Sequence, residues 1–250
     1  MKRLMLLAAL AAPLSMAQAE EAKEEALIDP SDLTRVYTQA AVFVTSDANI
    51  RTSTMATGAW TDDIQFAGFV EAYWGDRKNE DEFGMDYLNG RAQYFQVHGI
   101  NNGVMPRIGF STDFMHYSNV GAKDSKIAAF GAIGLINPKF TGGKLMLFPN
   151  LAYATGSMGG EDVDGYAANL YATLPIGGQG AFIQFSPEFL SLSGDTLNID
   201  TMTYNGFISA PINKGRTQWL MTKISHKSET INGFNDEGDL TLEIGYKWFF

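Results

Sequence analysis

His116 and Ser118 stand two apart in the run His116-Tyr117-Ser118-Asn119. On an extended strand residues at this spacing share a face, so an imidazole can approach a hydroxyl and take its proton as the oxygen attacks an acyl carbonyl. Across a tight hairpin, Asp124 could orient the ring. A second group of residues is charged rather than nucleophilic: Glu71, Arg91, Asp113, Glu188, Glu243 and Lys247 all fall on the polar side of alternating stretches. Charges turned toward an interior must pair or meet water, which is the chemistry of an ion-paired lumen or a polar passage.

Composition narrows the remaining chemistry. The 250 residues hold 18 Lys plus Arg against 28 Asp plus Glu, three His and no Cys. Thiolate metal sites, disulfides and Cys nucleophiles are excluded. The net charge of −10 and the absence of a basic run exclude nucleic acid as a partner. The Gly156-Ser157-Met158-Gly159-Gly160 run lacks the lysine and following helix of a phosphate-binding loop, and no Gly-x-Ser-x-Gly elbow occurs. No cofactor is expected.

The elements that must position these residues begin after an address. Lys2 and Arg3 precede the apolar run Leu4 to Leu14, and Ala17-Gln18-Ala19 supplies a small-x-small cleavage pattern. Residues 1–19 therefore read as a secretory signal peptide, and the acidic 20–33 as a periplasmic leader. From 34 to 250 the chain is a series of stretches that alternate in period two. The last is the clearest: Leu240, Leu242, Ile244, Tyr246, Trp248 and Phe250 oppose Asp239, Thr241, Glu243, Gly245 and Lys247, with Phe249 out of pattern.

Mean hydropathy is only −0.10, yet half of each stretch is apolar. Strands of membrane-crossing length, alternating short and long connections and a terminal aromatic predict an all-β transmembrane barrel, antiparallel and up-and-down. Counting back from Phe250 places strands near 238–250, 216–227, 199–211, 180–192, 165–175, 144–156, 126–136, 104–118, 84–98 and 63–74, with weaker ones near 50–60 and 34–45. Twelve strands are expected, ten if the first two form something else. Short turns are expected at 101–103, 177–180 and 213–215, and long acidic outer loops at 76–83, 157–165 and 229–239. A secreted β-sandwich is the soluble alternative.

The signal peptide, the amphipathic strands and the ending Gly245-Tyr246-Lys247-Trp248-Phe249-Phe250 resemble Gram-negative outer-membrane β-barrel proteins. The resemblance implies an outer-membrane location and a last strand, with Tyr246, Trp248 and Phe250, that is read by the barrel-assembly machinery. The tetrapeptide at 116–119 resembles the His-x-Ser-Asn motif of outer-membrane phospholipase A and of lipid A 3-O-deacylase. That likeness implies His116 as base and Ser118 as nucleophile on the outer wall. The orienting Asn or Glu of those families, about a dozen positions past the serine, is absent; Ala128-Ala129-Phe130-Gly131 stands there, leaving Asp124 as the substitute.

Two functions follow from these residues. One is a monomeric barrel that offers a small polar solute a narrow channel, or serves as a structural or surface barrel. The other is a lipid-acyl hydrolase using His116, Ser118 and Asp124. Partners are expected among outer-membrane lipid and lipopolysaccharide, whose phosphates a divalent cation could bridge to the acidic outer loops.

Overall fold

The structure, a computed structural model, describes residues 37–78, 82–100, 102–119, 123–177 and 180–250. The signal peptide and leader lie outside the described residues. The rest is one antiparallel sheet closed on itself: β1 (Tyr37–Thr45), β2 (Ile50–Thr61), β3 (Ile64–Gly75), β4 (Asp86–Gly99), β5 (Arg107–Tyr117), β6 (Ser125–Leu135), β7 (Met146–Met158), β8 (Glu161–Ile176), β9 (Ala181–Ser193), β10 (Asn198–Pro211), β11 (Gln218–Ile231) and β12 (Phe234–Phe249). Each strand pairs with its sequence neighbours, and β1 closes on β12. Both weak N-terminal candidates are strands, so the count is twelve, and a single closed sheet replaces the two packed sheets of a sandwich.

Alternation builds the wall. On β12, Leu240, Leu242, Ile244, Trp248 and Phe250 are exposed on the outside, and Val42, Val70, Phe114, Phe130, Leu151, Phe185 and Ile224 continue the same surface on other strands. An apolar belt of this extent exceeds what water tolerates on a soluble monomer, so its solvent is lipid. Phe249, out of pattern in the sequence, turns inward with Phe182 and Trp219, at centroid distances of 5.8 Å from Phe249 to Trp219 and 6.1 Å from Phe182 to Trp219. Trp219 is fully buried there, and its indole N–H donates to the Arg216 carbonyl.

Two outer connections differ from expectation. The stretches 157–165 and 229–239 are mostly strand: β7 and β8 meet at Gly159-Gly160, and β11 and β12 meet at Asn232-Gly233. Both residues of each turn have positive φ, 61° and 96° for the glycines and 50° and 84° for Asn232 and Gly233. This is the left-handed pair that suits the twist of a two-residue hairpin. These hairpins are polar because they run past the apolar belt, where lipid no longer demands an apolar face. A short 3-10 turn at Pro138–Thr141 joins β6 to β7.

Candidate functional site

Period-two alternation sends the opposite residue set into the lumen, where a cavity of about 860 Å³ is lined by residues of most strands. Glu71, Arg91, Asp113, Glu188 and Lys247 line it, and Glu243 faces the same side at 2 % exposure. They gather into two clusters.

The first cluster spans the barrel seam. Arg51 on β2 donates through Nε to Glu243 on β12 at 2.7 Å and through Nη1 to Glu71 on β3 at 3.2 Å, while Lys223 on β11 reaches Glu243 at 3.0 Å. Between them lies Phe43 of β1, with the Arg51 guanidinium 3.7 Å above its ring centroid. A weakly hydrated guanidinium stacks well on an aromatic face. The ring has room because its neighbour across the seam is Gly245, where any Cβ would overlap it. Lys247 has no ion pair among the described residues; its ammonium lies 5.8 Å from the Phe249 ring centroid.

The second cluster crosses the lumen. Arg91 on β4 holds Asp113 of adjacent β5 through Nε (2.9 and 3.0 Å) and Nη2 (2.5 Å), and through Nη1 it bonds Glu188 of β9 in the facing wall at 2.8 Å. Gln93 also donates to Asp113 at 2.9 Å, and Asn205 to Glu188 at 3.0 Å. One fork thus ties opposite walls, since a planar guanidinium can grip one carboxylate with two nitrogens and reach a second with its third. Just beside it Phe95 meets Tyr171 edge-on at 6.0 Å, another contact between facing strands.

The rest of the lining is less polar than its charges suggest. Phe43, Phe69, Phe95, Phe148, Phe182 and Phe207, with Met55, Met115, Met146, Met158 and Met221, face the same cavity. The sequence reading assigned apolar residues to lipid and missed these, together with Arg51 and Lys223. Strict parity counted from each strand's polar members would have found them.

His116, Ser118 and Asp124 lie near the rim at which β5 ends and β6 begins. Met115 and Tyr117 face the lumen, so His116 faces out. Its Nε2 is 3.3 Å from Asp124, and its Nδ1 is 3.0 Å from the Tyr87 hydroxyl, whose ring stacks on the imidazole at 5.5 Å. Tyr87 reaches the outer face because β4 bulges at Leu88. Asp124 thus stands at one ring nitrogen and Tyr87 at the other, while the Ser118 Oγ accepts from Arg77 Nη2 at 2.7 Å. Asp124 is therefore brought to His116, but the imidazole is not brought to the serine.

Tyr246, Trp248 and Phe250 point outward at the end of β12, with Tyr246 against Trp248 at 4.4 Å, and the Phe250 amide donates to Thr38 across the seam. Of the acids in the outer connections, Glu80 and Asp81 lie outside the described residues. Among the described residues no three acids or histidines converge as metal ligands. Glu161 instead works as a clasp between hairpins. It accepts from the Thr196 amide (2.6 Å), the Thr196 hydroxyl (2.5 Å) and the Leu197 amide (3.1 Å). These bonds, the Thr196 hydroxyl first, hold its carboxyl below the ordinary carboxylate range.

Fold and lumen together define a closed twelve-stranded barrel of the outer-membrane type, wetted inside by ion-paired charge. No family model and no curated protein matches the chain. Among solved structures it is similar to an outer membrane channel from Pseudomonas putida F1, with a TM-score of 0.50 and 11% identity over 89% of this chain and 100% of that one. It is also similar to the KdgM porin in complex with disordered oligogalacturonate (0.49, 10%, 86% and 99%) and to the NanC porin (0.49, 6%, 86% and 99%). At these identities the likeness is one of fold.

Proposed function

We propose that this protein is an outer-membrane channel with a narrow, ion-paired constriction for a small polar or amphipathic solute. The observation that carries this reading is the state of the crossing cluster. Arg91, Asp113 and Glu188 keep 22, 13 and 20 % of their side-chain surface open to the cavity, as groups beside a water path do and groups in a packed plug do not. The protein without residues 1–19, refolded into planar bilayers, is expected to give discrete conductance steps. Silence over a wide voltage range would refute the channel and favour a structural barrel.

Export follows from the signal peptide, and deletion of residues 1–19 is expected to leave the chain in the cytoplasm. Recognition by the assembly machinery rests on the outward aromatic end, and removal of Phe250 is expected to slow insertion in cells. The acidic hairpins suit contact with lipopolysaccharide through divalent cations, which chelator-dependent loss of lipopolysaccharide from the purified protein would register.

A further inference from the structure

The barrel wall is interrupted along one horizontal row. Between β6 and β7 the ladder runs as far as Ile133 with Asn150 and then stops, leaving Gly134 and Leu135 unpaired with Phe148 and Pro149 until the single bridge from Ile136 to Leu147. Between β8 and β9 it breaks after Asn169 with Glu188 and resumes at Ala172 with Phe185, so Leu170 and Tyr171 are unpaired with Ser186 and Pro187. Each gap contains a proline, which has no N–H to give to a ladder. Pro149 pairs with Leu170, so the two gaps lie at one level on either side of the β7–β8 hairpin.

A pocket of about 490 Å³ opens over this row on the lipid side. Its walls include Ala132, Gly134 and Ala168, small residues that leave space, with Leu151, Leu170 and Met202 as apolar rim. It also reaches Ile133 and Asn169, which line the lumen cavity as well. Pocket and lumen are therefore separated by the thickness of single side chains. At the gaps themselves Phe148, Tyr171 and Ser186 face the lumen and are the barrier, while Asn150, held by the Ser111 hydroxyl at 2.6 Å, and Asn169, 3.3 Å from the Tyr171 hydroxyl, stand in the last paired row beside them.

We infer that this seam is a lateral exit, through which a small apolar or amphipathic molecule passes from the lumen into the bilayer. The inference rests on the channel reading above and adds the solute class and its route. A lumen lined by phenylalanine and methionine can hold such a molecule, and the pocket beyond the barrier matches it in chemistry. Backbone hydrogen bonds are the cohesion of a barrel wall, and the β6–β7 and β8–β9 ladders, on either side of the unbroken β7–β8 ladder, each lack two pairs, so the side chains that face the lumen there can move without breaking strand pairing.

The chain has no cysteine, so a staple can be placed without interference. Gly134→Cys with Pro149→Cys puts two thiols on facing strands, within the reach of a disulfide for a directly opposed pair. The added Cβ at Gly134 meets the flexible end of Met105 and lies 3.3 Å from the Arg107 carbonyl oxygen. Entry of the apolar fluorophore N-phenylnaphthylamine into intact cells producing the protein is followed with the staple oxidised and reduced. Oxidation is expected to lower entry to the rate of cells lacking the protein, and reduction to restore it, with potassium chloride conductance of the purified barrel kept. Entry unchanged by oxidation overturns the exit. Should the cysteine pair fail to fold, Pro149→Val with Pro187→Val restores both N–H donors, and the same loss is expected. A wild-type barrel without conductance refutes the channel reading on its own, because the dye comparison does not depend on it.

Discussion

Glu188→Gln separates the role of the crossing bridge from its effect on stability. In the native barrel Arg91 is shared between Asp113 on its own side and Glu188 opposite. Losing the Glu188 charge leaves Arg91 paired with Asp113 through three donor contacts, so no buried charge is orphaned. Arg91→Gln does the reverse and leaves two carboxylates facing each other without a cation. Breaking a fully buried pair from one side costs roughly 3–5 kcal/mol. Because about a fifth of these side chains meets lumen water, screening reduces this to about 2 kcal/mol for Arg91→Gln. For Glu188→Gln the loss is expected to stay under about 1 kcal/mol, the net worth of one hydrogen bond.

Conductance distinguishes the two effects. Both substitutions untie the facing walls, so single-channel conductance is expected to rise in both. Selectivity moves in opposite directions: Arg91→Gln toward cations and Glu188→Gln toward anions. Planar-bilayer recording with a salt gradient gives both quantities, and urea unfolding in detergent gives the stability change. Unchanged conductance in both variants would refute the claim that the bridge limits the passage. A common direction of selectivity shift would show that the charges do not line the ion path.

Other consequences follow from single contacts. Gly245→Val is expected to displace the Phe43 ring and with it the Arg51 stack, lowering barrel stability by about 1–3 kcal/mol, the range for overpacking, as read by loss of heat-resistant gel mobility. Lys247→Gln removes a lumen cation that no carboxylate needs, and is expected to raise cation preference with little change in unfolding midpoint. Glu161 has a folded-state pKa below its unfolded value, so the stability it adds is present above the ordinary carboxylate range and is lost as pH falls through the lowered value. Proteolysis of the 194–197 loop is expected to rise as pH falls below the ordinary carboxylate range, and Glu161→Gln should remove that pH step. Ser118→Ala is expected to leave any lipid-ester cleavage by the purified protein at its wild-type level, because the serine is bonded to Arg77 and not to His116; loss of measurable cleavage would refute that geometry.

Periodicity carried the fold because a barrel wall imposes the same constraint on every strand. Leu240 to Phe250 alternates cleanly because one side must meet lipid, and the same reasoning finds Glu71, Arg91 and Lys247 on the other. It was weaker where both faces are mild. β2 reads Ile50 to Thr61 in Thr, Ser and Ala, so Arg51 stands in a strand with little apolar contrast and was not recognised as the centre of a cluster. The acid content of 229–239 makes the hairpin extension read as a loop, although Asn232-Gly233 is the signature of a two-residue turn. Contacts across the lumen were beyond reach altogether. Arg91 and Glu188 are 97 positions apart, and the alternation of each strand states which way a residue faces but not what stands opposite.

The acidic excess and the lumen obey different rules. Among the described residues Arg51, Arg91, Lys223, Lys227 and Lys247 share the interior with Glu71, Asp113, Glu188, Glu229 and Glu243, so the interior is balanced in charge although the chain carries −10. The surplus acids stand in the leader sequence and in the connections between strands. At physiological salt their field decays over about 8 Å, while a strand of β12's 16 residues is several times longer. A solute at the bridge therefore feels the local pairs and not the acidic rim. An interior balanced in charge, with most of its charges paired among phenylalanine and methionine, presents an apolar molecule with surface it can wet.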